Sequence, residues 1–219
     1  MAAISDKEKG IAVNIFKDLA SYYNANSISK EVGMTRVGAY KALKKLEELG
    51  ILGSERLGKA IFYRVNLDDD YAAKSIELFL MEDAKRKARW QDEFKEISKL
   101  SEAIILFGSI LKSEEKARDI DLLIILKPEN NKKISHAINL KNQILTRRIH
   151  PIKQTSEDFV KNIIKKDKII LNAIKEGIIL SGAGKAVELM KNATRQQNQM
   201  VPRKSRERTS AKQKAQGLA

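Results

Sequence analysis

One turn and the strand after it constrain this chain of 219 residues more than any other feature. Residues 104–107 (Ile-Ile-Leu-Phe) are apolar throughout and read as a buried strand, and Gly108-Ser109 lets the chain leave it sharply. Backbone N–H groups after such a turn open a helix and can face a phosphate, with the Ser109 hydroxyl as a further donor. After nine intervening residues, Asp119-Ile120-Asp121 heads a second apolar run that ends at Leu126. Side chains alternate along a strand, so Asp119 and Asp121 project from one face. Two hard oxygen ligands beside a phosphate cradle are the donor set for Mg²⁺ and a nucleoside triphosphate (NTP). Lys112 and Arg118, in the intervening segment, are candidates to neutralise the outer phosphates.

Gly-Ser, nine residues, then Asp-x-Asp resembles in minimal form the signature of the DNA polymerase beta-like nucleotidyltransferase superfamily, over residues 103–182. The resemblance implies Mg²⁺ as cofactor and NTP as substrate or ligand. It implies nucleotide-binding roles for Gly108 and Ser109, and catalytic, metal-holding roles for Asp119 and Asp121. It also implies a third carboxylate from a later strand. That strand reads as residues 148–153, and the acidic position holds His150. His150 could act as a base at neutral pH or serve as a structural donor. Glu157 and Asp158 lie close by but read as the first turn of a helix, with Thr155 and Asp158 at capping-box spacing.

The formal charge of +14 is unevenly spread. Residues 1–70 carry 11 basic and 10 acidic side chains, and residues 71–102 carry 7 of each. Residues 103–180 carry 15 basic and 9 acidic, and residues 181–219 carry 9 and 2. A basic excess of this kind implies a polyanionic partner, with a lysine-rich solvated surface as the bland alternative. There is no cysteine, which removes disulfides and thiol chemistry and fits a reducing, cytoplasmic setting. With His136 and His150 the only histidines, a Cys/His zinc site is excluded. No segment has the length of a membrane span and the N-terminus lacks a signal-peptide apolar core, so no membrane partner is expected.

The first seventy residues read as three helices and a hairpin. Residues 7–22 place Ile11, Ile15, Leu19 and Tyr22 on one face, and residues 24–26 break the helix. Ser27 is the expected N-cap of a short helix over 28–32, ended by Gly33. Thr35 opens a longer helix to Leu49, closed by Gly50, with Ala39, Leu43, Leu46 and Leu49 inward. Strands at 51–54 and 60–65 flank Glu55-Arg56-Leu57-Gly58-Lys59. This arrangement, and TRVGAYKALKKLEELGIL above all, resembles a winged helix-turn-helix domain of the MarR or ArsR sort. The resemblance implies double-stranded DNA as partner. A helix entering the major groove presents its N-terminal half and one outward stripe, here Thr35, Arg36, Tyr40 and Lys41, with Lys44 nearer the phosphates. Arg56 and Lys59 would sit at the wing tip. A winged helix used only for protein contacts is the competing reading.

Residues 71–100 read as one long helix that packs on either domain or pairs with its twin in a homodimer. Asp68 to Asp70 suit its N-terminal end, and Trp90 is read as a packing residue. Further helices are expected over 132–145 and 156–175, a strand over 147–153, a turn at Gly177 and a last strand over 178–180. A short helix over 187–190 and a disordered basic arm from Asn192 follow. The expected fold is therefore α+β. It comprises a winged helix-turn-helix in 1–70, a linker helix in 71–102, an α/β nucleotidyltransferase-like domain with a small mixed sheet in 103–182, and a basic tail in 183–219. Two functions are open: a DNA-binding transcriptional regulator with a nucleotide-binding domain, or an active nucleotidyltransferase that modifies a protein, RNA or small-molecule acceptor, as in toxin–antitoxin pairs.

Overall fold

The computed structural model describes residues 3–18 and 21–200. Leu19, expected on the inward face of the first helix, and residues 201–219 of the expected tail lie outside the described residues.

The chain opens with α1 (Asp6–Lys17), α2 (Ala25–Glu31) and α3 (Arg36–Glu48), followed by a hairpin of β1 (Leu52–Leu57) and β2 (Ala60–Val65). Each helix start has a local cause. Ser5 and Glu8 form a reciprocal capping box on α1, and Thr35 accepts from the Gly38 amide on α3. At α2 the expectation fails. Asn24, read as a breaker, is the N-cap, and Ser27 is the third residue of its capping box. α1 ends at Lys17, five residues before the expected end. Ala39, Leu43 and Leu46 are buried as expected, joined by Ala42, whereas Leu49 is half-buried. β1 runs on to Leu57, so the hairpin turn is only Gly58-Lys59, and Arg56 lies within the strand opposite Ile61 rather than at the tip. Tyr23 bridges Tyr63 as a third, single-residue strand.

The expected linker helix is three helices: α4 (Asp70–Lys85), α5 (Ala88–Glu93) and α6 (Lys95–Leu100). Asp69 caps α4 through the Ala72 amide. The break follows from where the apolar residues must go. Ile76, Phe79 and Leu80 of α4 join one core, while Trp90, Phe94 and Ile97 join another. One straight rod cannot serve both, and the chain bends at Arg86-Lys87 and again at Phe94.

β3 (Ala103–Phe107), β4 (Asp119–Ile125), β5 (Arg148–Gln154) and β6 (Ile178–Ser181) make a mixed sheet in the order β5-β4-β3-β6. β4 and β5 are parallel and the other pairs antiparallel. α7 (Ser109–Lys112) joins β3 to β4, and α8 (Asn131–Ile144) joins β4 to β5. The helix expected over 156–175 is split into α9 (Ser156–Ile164) and α10 (Lys168–Glu176), where Lys166 takes φ 57° and Asp167 caps the new start. Gly177 is needed for close packing, since a Cβ there would lie 2.1 Å from the Ala173 carbonyl oxygen and 2.6 Å from Ile105.

The sheet has two buried faces. Ile104, Leu106, Leu122, Ile124 and Ile149 point to α5, α6 and α8. Ala103, Ile105, Leu123, Ile125 and Ile179 point to a core that also takes in Ile11, Phe16, Leu43, Leu46, Ile76 and Phe79. The helices before the hairpin thus share a core with the sheet. α11 (Ala183–Met200) completes it through Ala186, Val187, Leu189, Met190 and Ala193, where a disordered tail was expected from Asn192.

Candidate functional site

The site grows from the antiparallel pair β3 and β4. Phe107, the last residue of β3, lies opposite Asp121. The next residue, Gly108, takes φ 83°, ψ −158°, and delivers the chain to Ser109 at the start of α7. A Cβ on Gly108 would lie 2.2 Å from Asp121 Oδ2 and 3.1 Å from its Cγ. The turn therefore lies directly against the Asp121 carboxyl, and only a residue without a side chain permits both the positive φ and the approach.

Ile120 is buried in the far core, which leaves Asp119 and Asp121 half-buried on the opposite face. β5 extends that face. Its parallel register sets Arg148 beside Asp119 and His150 beside Asp121. His150 Nδ1 is 3.7 Å from Asp119 Oδ2, an ion pair when the imidazole is protonated and too long for a hydrogen bond. Burial pushes the Asp121 carboxyl above the usual carboxylate range; His150 opposes the shift and Asp119 adds to it. The rise is what two neighbouring acids produce when one is partly desolvated.

The structure brings together Gly108, Ser109, Asp119, Asp121 and His150. It separates Lys112, whose ammonium is 3.2 Å from Glu176 Oε2 and lines a cleft of about 680 Å³ between α1, α4 and α10. The cleft is bordered by neither Asp119 nor Asp121. Arg118 is exposed immediately before Asp119. Sequence reasoning left out Arg148. Its signal was present, two residues before His150 and so on the same face, but using it required the register between β4 and β5.

Among the described residues, no group of three or more His, Cys, Asp or Glu is arranged to hold a metal ion. The donor set still suits Mg²⁺ carried in with a nucleotide, since that ion is commonly held by one or two carboxylates with phosphates and water filling its other positions. Gly108, with its amide-bearing turn packed on one of those carboxyls, is consistent with that mode.

On the other surface, Arg36, Val37, Tyr40 and Lys41 are exposed along the N-terminal half of α3. Thr35 spends its side-chain oxygen on the cap. Lys44 is 2.7 Å from Glu47, and Glu47 also accepts from Ser54 of β1. Arg56 and Lys59 are exposed on the hairpin. Arg64 stacks 3.8 Å over the Tyr22 ring, which meets Phe62 edge-on.

Residues 91–181 match the family described as polymerase beta, nucleotidyltransferase. The match spans α5 to β6 and supports a nucleotidyltransferase-type domain in this part of the chain. Among solved structures, a cysteine-to-serine mutant of ZitR from Lactococcus lactis is similar at 13% identity, over 52% of this chain and 70% of that one, with a TM-score of 0.34. A likeness at that score assigns no fold. No curated protein matches the chain. No described helix is long and apolar enough to cross a membrane.

Proposed function

We propose that this protein is a DNA-binding transcriptional regulator whose C-terminal domain binds NTP and Mg²⁺ in the manner of a polymerase beta-type nucleotidyltransferase. The observation that carries the nucleotide half is the approach of the Gly108 backbone to the Asp121 carboxyl, with Asp119 on the same face. In this reading Asp119 and Asp121 hold Mg²⁺, which would neutralise charge on the phosphates. Gly108 and Ser109 face the triphosphate through the amides and hydroxyl of the turn. The family match over residues 91–181 supports it.

The DNA half rests on α3. Ala39, Leu43 and Leu46 are buried on one side, while Arg36, Tyr40 and Lys41 stand exposed on the other. The hairpin places Lys59 at its turn and Arg56 on its outer surface. Groove reading by a helix with phosphate contacts from a flanking ribbon needs this distribution. Arg36 and Tyr40 read bases in this account, and Lys44 reaches phosphate only by leaving Glu47.

Intact Asp119 and Asp121 also support a second reading, an active nucleotidyltransferase toward a protein, RNA or small-molecule acceptor. His150, in place of a third carboxylate, is then the base candidate closest to them. One pair of experiments tests both. Selection from a random duplex pool with the full chain is expected to enrich a defined motif, and failure to enrich one removes the DNA half. Incubation with labelled NTP, Mg²⁺ and cell lysate decides transfer, since a labelled product makes the protein an enzyme.

A further inference from the structure

We propose that Arg148 is the phosphate-binding side chain of the Asp119–Asp121 site, an inference that rests on the nucleotide-binding reading above. β4 and β5 run parallel with Asp119 beside Arg148. In-register neighbours on parallel strands project from the same face, and strands lie about 4.8 Å apart. Arg148 is therefore the permanently charged side chain that the sheet register sets beside the carboxylate pair.

Its backbone is held from both sides. Arg147 Nε donates to the Ala117 carbonyl at 2.8 Å, tying the start of β5 to the segment that leads into Asp119. The Ile149 amide donates to Asn142 Oδ1 at 2.8 Å, and the Ile149 side chain is buried in the core behind the sheet. Between these two anchors the Arg148 side chain is exposed, and among the described residues it enters no hydrogen bond or ion pair. Its obvious partner, Asp119, is approached by His150 instead.

The other cations near the turn are placed for different tasks. Lys112 is paired with Glu176. Arg118 lies in a bend just outside β4, so the sheet register does not set its side chain beside the carboxylates as it does for Arg148. A site containing two carboxylates repels phosphate unless cations offset them. A guanidinium does this with two parallel N–H donors that match a phosphate edge. The phosphate is either the nucleotide's own or one carried by a second substrate.

Calorimetry on the full chain with Mg²⁺ separates these cases. The ligands are ATP, GTP, CTP and UTP in turn, inorganic tripolyphosphate, the parent nucleosides, and inorganic phosphate added to NTP-saturated protein. The proteins are wild type, R148A, R148K and, as a charge control, K132A at an exposed lysine of α8. If the phosphate is the nucleotide's, R148A weakens NTP and tripolyphosphate binding by about ten-fold or more, because a charge-assisted pair is lost. R148K then recovers part of the loss, K132A changes little, and nucleoside binding is unaltered. If the phosphate is a second substrate's, NTP affinity holds and R148A loses inorganic phosphate at the NTP-saturated site. Should R148A unfold, R148Q decides in its place. Equal affinities for wild type and R148A in every arm overturn the proposal and leave the nucleotide reading standing. No NTP binding by wild type overturns both.

Discussion

At the scale of single residues, the site runs against stability. Burial holds the Asp121 carboxyl above its usual range, so the folded chain binds that proton more tightly than the unfolded chain does. The group then favours folding at pH below the ordinary carboxylate range, and this contribution is lost as pH rises through the raised value. At neutral pH an ionised Asp121 is a net burden on the fold. D121N is expected to raise Tm slightly, on the order of one or two degrees for a chain of this size, while removing Mg²⁺-dependent NTP binding. A lower Tm would contradict the account. G108A acts on the same contact, because its methyl displaces the Asp121 carboxyl. It is expected to weaken NTP binding at least ten-fold, as titration of NTP into the variant would read, with stability reduced by about 1–3 kcal/mol from the strained φ. The shared face of Asp119 and Asp121 was legible in the sequence because the period of a strand is local, and His150 was singled out only because the resemblance gives a later strand a place at the site. Arg148 was not, because the partner of a residue across a sheet depends on a register no local pattern encodes.

At the scale of elements, caps and apolar stripes located α3 and the sheet well, and ends were where expectation failed. The single helix expected over 71–100 breaks because its apolar residues divide between two cores, and periodicity reports that a face is apolar without saying what covers it. The same holds for 156–175, where Asp167 restarts the helix as α10. Phe94 is fully buried where α5 meets α6, stacked on Trp90 with ring centroids 5.8 Å apart. F94A is expected to cost about 3–5 kcal/mol, measured by denaturant unfolding, and a loss below 1 kcal/mol would mean that this junction is loosely packed. On α3, R36A and Y40A are each expected to lose about 1–3 kcal/mol of specific DNA affinity and to relax base preference. K44A is expected to lose less, because Lys44 is held by Glu47. A mobility-shift series on one selected duplex ranks the three, and a K44A loss equal to that of R36A would contradict the order.

At the scale of the whole molecule, the chain is more continuous than its domain pattern suggests. α1, α3 and α4 share a core with one face of the sheet. An ion pair crosses the same boundary, Lys175 with Asp18 at 2.9 Å, while Lys17 of α1 pairs with Asp83 of α4 at 3.2 Å. Lys17 also donates to the Gly177 carbonyl at 2.8 Å, between α10 and β6. Burial lowers the Lys17 pKa, against the pull of Asp83. K17A is expected to lower stability by about 1.5–3 kcal/mol, the range for a hydrogen bond to a charged group. Heating the full chain should give one cooperative transition, and two separated transitions would show that the halves fold apart. Cutting the chain at Asn192 removes the buried Ala193 of α11 and is therefore expected to lower stability. The central claim, that Asp119 and Asp121 bind NTP through Mg²⁺, is tested most directly by calorimetry of NTP with Mg²⁺ against wild type and the D119N/D121N double variant. The account predicts a measurable Kd for wild type and no detectable binding for the folded double variant. Unchanged affinity in the double variant would contradict it.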